Sequence, residues 1–159
     1  MVIAIIGILA GGVYVSLNSG RIKARNAKRA SDISQLVLAF NAYAQLNGNF
    51  PITGDDEWYC ISKTCGEKWA TKSRNAVVDS AIAQFVQLAT DRQSSTGYSG
   101  YLYNSDWDGG NSPFDDTDFP PGIYLKFVFE VVSATPTTCS PGKVWEVTSK
   151  YIKCRMKLN

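Results

Sequence analysis

The chain has 159 residues, 45% of them hydrophobic and 19% charged, with a net charge of +2. That is enough for one domain with an appendage, and too balanced for a polycation that coats nucleic acid. It contains no histidine, which removes the commonest general base and metal ligand. No serine or cysteine stands beside a recognisable base, so a structural or binding role is expected and an enzyme is not.

The chain opens on "MVIAIIGILAGGVYVSLNSG", and residues 1–17 carry no charge. As a helix this stretch spans roughly 25 Å, a little short of the ~30 Å hydrocarbon core of a bilayer. Five of the 16 Lys and Arg residues follow at once, between Arg21 and Arg29. A secretory signal peptide has its charges before the apolar run, so this segment is expected to stay with the protein. The basic run has no interleaved aromatics; lipid headgroups or acidic neighbours are its expected partners, and no specific nucleic acid is.

The helical pattern continues past the basic run. Apolar residues recur at Ala27, Ala30, Ile33, Leu36, Val37, Phe40, Tyr43, Ala44 and Leu46, the three-and-four spacing of an amphipathic helix. The sequence "NGNFP" ends it, since Gly48 suits a helix C-terminus and Pro51 forbids continuation. Met1–Asn47 therefore reads as one helix about 70 Å long. Residues 1–20 form a hydrophobic membrane or filament-core half, and residues 21–47 an amphipathic half. In the first half Gly7, Gly11 and Gly12 offer close approach to other helices. Val2, Ile3, Ile5, Ile6, Ile8, Leu9, Val13 and Val15 supply the apolar surface of a helix that packs on copies of itself.

Residues 48–159 are expected to form a globular head. The four cysteines lack the tight Cys-x-x-Cys pairs of zinc sites. They allow three disulfide pairings; Cys60–Cys65 and Cys139–Cys154, each closing a short local loop, are the expected ones. "SRNAVVDSAIAQFVQLATD" predicts a second helix over about 74–90, with Val78, Ile82, Phe85, Val86 and Ala89 on its core face. "YLYN" predicts a short strand. "GIYLKFVFEVVS" predicts a long one, with Ile123, Leu125, Phe127, Phe129 and Val131 on one face. "KVWEVTSKYIKCRMK" predicts a second long strand. The result is an α+β fold: an antiparallel sheet of three or four strands over about 98–158, its apolar face on the amphipathic half of the first helix.

One loop has metal-binding spacing. "NSDWDGGNSPFD" approximates a calcium loop, with Asn104, Asp106 and Asp108 at the first, third and fifth places and Gly109 at the sharp turn. Gly110 offers a carbonyl, Ser112 a side chain or a water, and Asp115 stands where Glu is usual. Ca2+ is the one cofactor this chain is expected to take. The same spacing is also that of a solvated acidic turn.

The order of apolar run, basic turn, amphipathic helix and "NGNFP" strongly resembles the N-terminal helix of bacterial type IV pilins and pseudopilins. The resemblance covers about the first third of the chain; the rest matches in layout only. It implies a pilin-like fold and a structural subunit, the major pilin, of an extracellular pilus filament. Such a subunit is held in the cytoplasmic membrane before assembly and handled by the pilus assembly machinery. It assembles as a helical homo-oligomer through the N-terminal helix. Adhesion, twitching motility and DNA uptake are properties of such filaments. A minor pilin or a secretion or competence pseudopilin is the alternative within the family, and a monomeric membrane-anchored calcium-binding module the alternative outside it. Family members begin with a basic leader and a short segment containing a glutamate. No residue here corresponds to these, and they are expected upstream of Met1. Their charge resolves a conflict: by the positive-inside rule the Arg21–Arg29 run alone would keep a disulfide-bonded head in the cytoplasm.

Overall fold

The computed structural model describes residues 2–67, 70–91, 97–113, 117–132 and 138–158, with the side chains of the first helix described from residue 17 on. That helix, α1 (Val2–Asn47), runs unbroken for 46 residues. It stops where expected: the Gly48 N–H donates to Ala44 O at 2.8 Å, and the Asn47 side chain donates to Tyr43 O at 2.9 Å. These bonds occupy carbonyls that the helix end would otherwise leave open.

The head is an antiparallel sheet of five strands in the order β1-β4-β7-β9-β8. The strands are β1 (Tyr59–Cys60), β4 (Leu102–Trp107), β7 (Gly122–Glu130), β8 (Lys143–Val147) and β9 (Tyr151–Leu158). Two small ribbons accompany it, β2 (Gly66–Glu67) with β3 (Ala70–Thr71), and β5 (Gly110–Asn111) with β6 (Asp118–Phe119). The α+β class is as expected, with two differences in the sheet. The β1 edge, far upstream, pairs Tyr59 with Tyr103 and Cys60 with Leu102. The single strand expected over residues 143–157 is a hairpin, because Thr148 caps the turn: its hydroxyl accepts from the Lys150 and Tyr151 N–H groups, and its own N–H donates to Tyr151 O.

The second helix is also shorter than its apolar spacing predicts. The element α2 spans Ala76–Ala83, opened by Asn75, whose side chain accepts from the Val77 and Val78 N–H groups. Val78 and Ile82 are buried as predicted, but Phe85 is 36% exposed. Beyond Gln84 the chain leaves the helix, and Ala89 O accepts from Lys63 N at 3.0 Å. The tertiary partner outbids the helix propensity of "QFVQLA".

The core lies between α1 and the inner face of the sheet. Ile33, Leu36 and Phe40 of α1 meet Tyr103 of β4, Leu125, Phe127 and Phe129 of β7, and Ile152, Cys154 and Leu158 of β9, with Val78 and Ile82 of α2 alongside. Ile123 and Val131 pack on the edge of this cluster, so the alternation of β7 is as predicted. The outer face is also covered. Two register shifts arrange this, one in β4 between Asn104 and Trp107 and one in β8 between Val144 and Glu146. An extra residue in one strand reverses the alternation beyond it. Trp107 in β4 and Glu146 in β8 are thereby turned outward, and Trp107 meets the outward Trp145 edge-on with ring centroids 5.5 Å apart.

Candidate functional site

The basic run of α1 is where the helix joins the head. Residues 25, 26 and 29 lie on the same helical stripe as Ile33 and Phe40, at spacings of three, four and their sums. Arg25 donates from Nε to Glu130 Oε1 at 2.8 Å and from Nη2 to Oε2 at 2.7 Å. Arg29 donates from Nη1 to Glu130 Oε1 at 3.0 Å and from Nε to Asp91 Oδ1 at 3.0 Å. Asn26 clasps the backbone at the end of β7: its Nδ2 donates to Glu130 O at 2.8 Å, and the Glu130 N–H donates to its Oδ1 at 3.0 Å. Asp91 is itself fixed by the Gly100 N–H at 3.0 Å. One turn further on, Tyr101 donates to Asp32 Oδ2 at 2.8 Å.

These are charges removed from water. Arg29 is 2% exposed and Glu130 7%. Burial alone would raise the Glu130 carboxyl; the Arg25 hydrogen bond and the charges of Arg29 and Arg25 outweigh it and hold the group below the usual carboxylate range. The Arg25 guanidinium is pushed up, first by its hydrogen bond to Glu130. Thus three of the five cations of the basic run find acidic partners within the same chain, Arg25 and Arg29 in the clamp and Lys28 on Asp32 of the same helix, while Arg21 and Lys23 remain exposed. Sequence periodicity did not reveal this clamp. Its available signals were a lone carboxylate at the end of an otherwise apolar-faced strand and an Arg-x-x-x-Arg pair in phase with the core stripe.

The two disulfides are those expected, Cys60–Cys65 and Cys139–Cys154, with sequence separations of 5 and 15. Cys139 and Cys154 sit in the main core, and Cys60 and Cys65 in a smaller cluster with Leu102. Since stabilisation grows with the loop closed, replacing Cys139 and Cys154 by Ser is expected to cost about 3 kcal/mol, against about 2 for the Cys60–Cys65 pair. Urea unfolding of the two double variants measures the difference; equal or reversed losses would refute the ranking.

The residues with calcium-loop spacing are placed differently from one another. Asn104 and Asp106 are within β4, and Gly110 is in the β5–β6 ribbon, paired with Phe119. The Asn104 carboxamide donates to Asp56 Oδ1 at 2.7 Å and accepts from the Asp106 N–H at 2.8 Å. The buried Ser112 hydroxyl donates to Trp145 O at 2.7 Å. Asp108 is exposed, and Asp115 lies outside the described residues. Gly109 does take the sharp turn, at φ +92°, where a Cβ would meet Phe119 O at 2.7 Å. Among the described residues no three carboxylate or thiol side chains gather as a metal would require.

The expected assembly residues Val2, Ile3, Ile5, Ile6, Gly7, Ile8, Leu9, Gly11, Gly12, Val13 and Val15 are all on the α1 backbone, and their side chains lie outside those described. Among the described residues no helix is long and apolar enough to cross a membrane. On the described part of α1, Leu17, Leu38 and Leu46 are 55%, 69% and 74% exposed, an apolar surface turned away from the head. No protein-family model matches the chain, and neither does any curated protein or solved structure.

Proposed function

We propose that the chain is the structural subunit, the major pilin, of an extracellular type IV pilus filament, held in the cytoplasmic membrane before assembly. The observation that carries this reading is one uninterrupted helix, α1, whose two halves do different work. Its charge-free first part has an apolar sequence suited to lipid or to other helices. Its second part is bound to the head by a buried core and by the Arg25–Arg29–Glu130–Asp91 clamp. A subunit pulled from a bilayer and stacked in a filament needs both: a helix that exchanges lipid for neighbouring helices, and a head that moves with it as one body. The exposed Leu38 and Leu46 add apolar contact for neighbouring copies, and the disulfides suit an oxidising exterior.

Cryo-electron microscopy of filaments sheared from the native cells tests the reading. The expected result is a central helix bundle whose side-chain density reads "VIAIIGILAGGVYVSLN". Filaments built from another chain would make this one a minor or secretion-type subunit. A detergent-solubilised chain that never self-associates, from cells without filaments, would favour a monomeric anchored module instead.

A further inference from the structure

Residues 84–91 are where local sequence and fold disagree. The stretch "QFVQLA" is mostly helix formers in phase with α2, and the Val86 N–H still makes a helical bond to Ile82 O at 3.0 Å. The chain then leaves the helix and brings Ala89 to Lys63 and Asp91 to Arg29. What holds it on that path is the loop closed by Cys60 and Cys65.

The loop supports Asp91 from both sides. Lys63, at its exposed tip, donates its N–H to Ala89 O at 3.0 Å, two residues before Asp91. On the other side the loop brackets residues 99–101. The Ile61 N–H donates to Tyr101 O at 2.9 Å, the Tyr101 N–H donates to Ser62 Oγ at 2.7 Å, and Gly66 exchanges two backbone bonds with Ser99. Gly100 passes so close, at φ +76°, that a Cβ there would stand 2.7 Å from Cys65 Sγ. Only glycine fits that approach. Asp91 accepts from the Gly100 N–H with one carboxylate oxygen and from Arg29 Nε with the other. Residues 61–65 are themselves neither helix nor strand, so the disulfide is the covalent constraint on the shape of the loop.

We propose that the Cys60–Cys65 disulfide is a redox latch on the clamp between helix and head. Closed, it stops α2 early and sets Asp91 on Arg29; open, α2 grows through Ala89 and Asp91 leaves Arg29. Closing is a two-electron oxidation by a small disulfide such as glutathione disulfide. One cysteine thiolate attacks that disulfide and expels a thiolate, and the second cysteine then attacks the mixed disulfide and expels the other. Two electrons and two protons leave the cysteines, and two glutathione thiols are released. In the open form Arg25 and Arg29 keep Glu130, so the head stays on α1 while Arg29 loses one of its two carboxylates. Val86 and Ala89 already pack on the core, and helical spacing from Ile82 keeps them on that face. The latch does not depend on the filament reading.

Nuclear magnetic resonance of the full chain in neutral detergent tests it, comparing Cys60→Ser/Cys65→Ser and Cys139→Ser/Cys154→Ser with the unaltered protein. In the first variant the helical carbon shifts of α2 are expected to extend through Ala89. Its Arg29 Nε–H and Gly100 amide should exchange at least about tenfold faster than in the unaltered chain. The second variant should leave these signals in place. In glutathione buffers of rising thiol content the unaltered chain should show the same changes, in step with alkylation of Cys60 and Cys65 read by mass spectrometry, and reverse them on reoxidation. Unchanged shifts over residues 84–89 after loss of Cys60–Cys65 would make that disulfide a local staple and overturn the latch. Equal changes in the second variant would mean a general loosening, and signals that do not return on reoxidation would remove the switch; either result also defeats it. So does loss of the whole fold with Cys60–Cys65, since a latch needs a folded head in both states.

Discussion

Glu130→Ala is expected to destabilise the protein by about 3–5 kcal/mol, the cost of leaving a buried charge without its partner. The reason lies in the geometry. Glu130 accepts from Arg25 and Arg29 at once, and Arg29 is buried with its other donor committed to Asp91. Removing the carboxylate leaves Arg29 with half its compensation in a site that water does not reach. Chemical unfolding measures the loss, and a change below about 1 kcal/mol would mean that the clamp is no more than a surface ion pair. The pH dependence gives a second reading. The folded-state pKa of Glu130 is held down, so the unfolded chain binds its proton more readily. The clamp's contribution is then complete above the ordinary carboxylate value of about 4.3 and fades as pH falls through the lower folded value. The melting temperature of the unaltered chain should therefore drop more steeply below about pH 4.5 than that of Glu130→Gln. Parallel curves for the two proteins would contradict the assignment.

Phe40→Ala is expected to cost about 3–5 kcal/mol, as for other large aromatic side chains removed from a core. Phe40 is fully buried, and its ring stacks on Tyr103 with centroids 4.6 Å apart and planes 7° from parallel. Tyr103 is in turn tied to the far side of the helix end, donating to Pro51 O at 2.6 Å. The cavity left by Phe40 therefore has a rigid wall and cannot collapse easily. Leu38→Ala, two residues away at 69% exposure, is the internal control: the isolated subunit should change by less than about 0.5 kcal/mol. The pair separates the two faces of α1. If Leu38→Ala destabilises the isolated subunit as much as Phe40→Ala, the assignment of faces is wrong. If it is neutral there yet reduces filament yield, the exposed leucine face belongs to assembly.

Phase errors mark the boundary between what was legible and what was not. Strict alternation along "LYNSDW" puts Tyr103 inward and predicts the same for Trp107, four residues on. The register shift in β4 instead places Trp107 beside Tyr124, at 4.8 Å and perpendicular to it, on the outer face. Nothing in the local sequence announces a bulge there. In β8 the second shift lets Trp145 and Glu146 both face outward, the one over Arg155 and the other on Lys153. The extra residue in β4 brings Trp107 to Trp145, and the one in β8 brings Glu146 to Lys153.

By itself the amino-acid order determined whatever depends on neighbours a few residues apart. The long helix follows from its unbroken apolar and amphipathic periodicity, and its end from Gly48 and Pro51. The inner face of β7 follows from a two-residue alternation, whereas the order of the cysteines left three pairings open, of which the structure has the two local ones. Tertiary structure decided what depends on partners distant in the chain. Arg29 meets Asp91 and Glu130 across 62 and 101 residues. The β1 edge reaches β4 across more than forty positions, and α2 ends early because Ala89 is needed at Lys63. A helix or strand period reports only which way a side chain points along its own element. Which charge it meets, and whether an added residue has turned it over, is settled when distant segments pack and every buried polar group must find its partner.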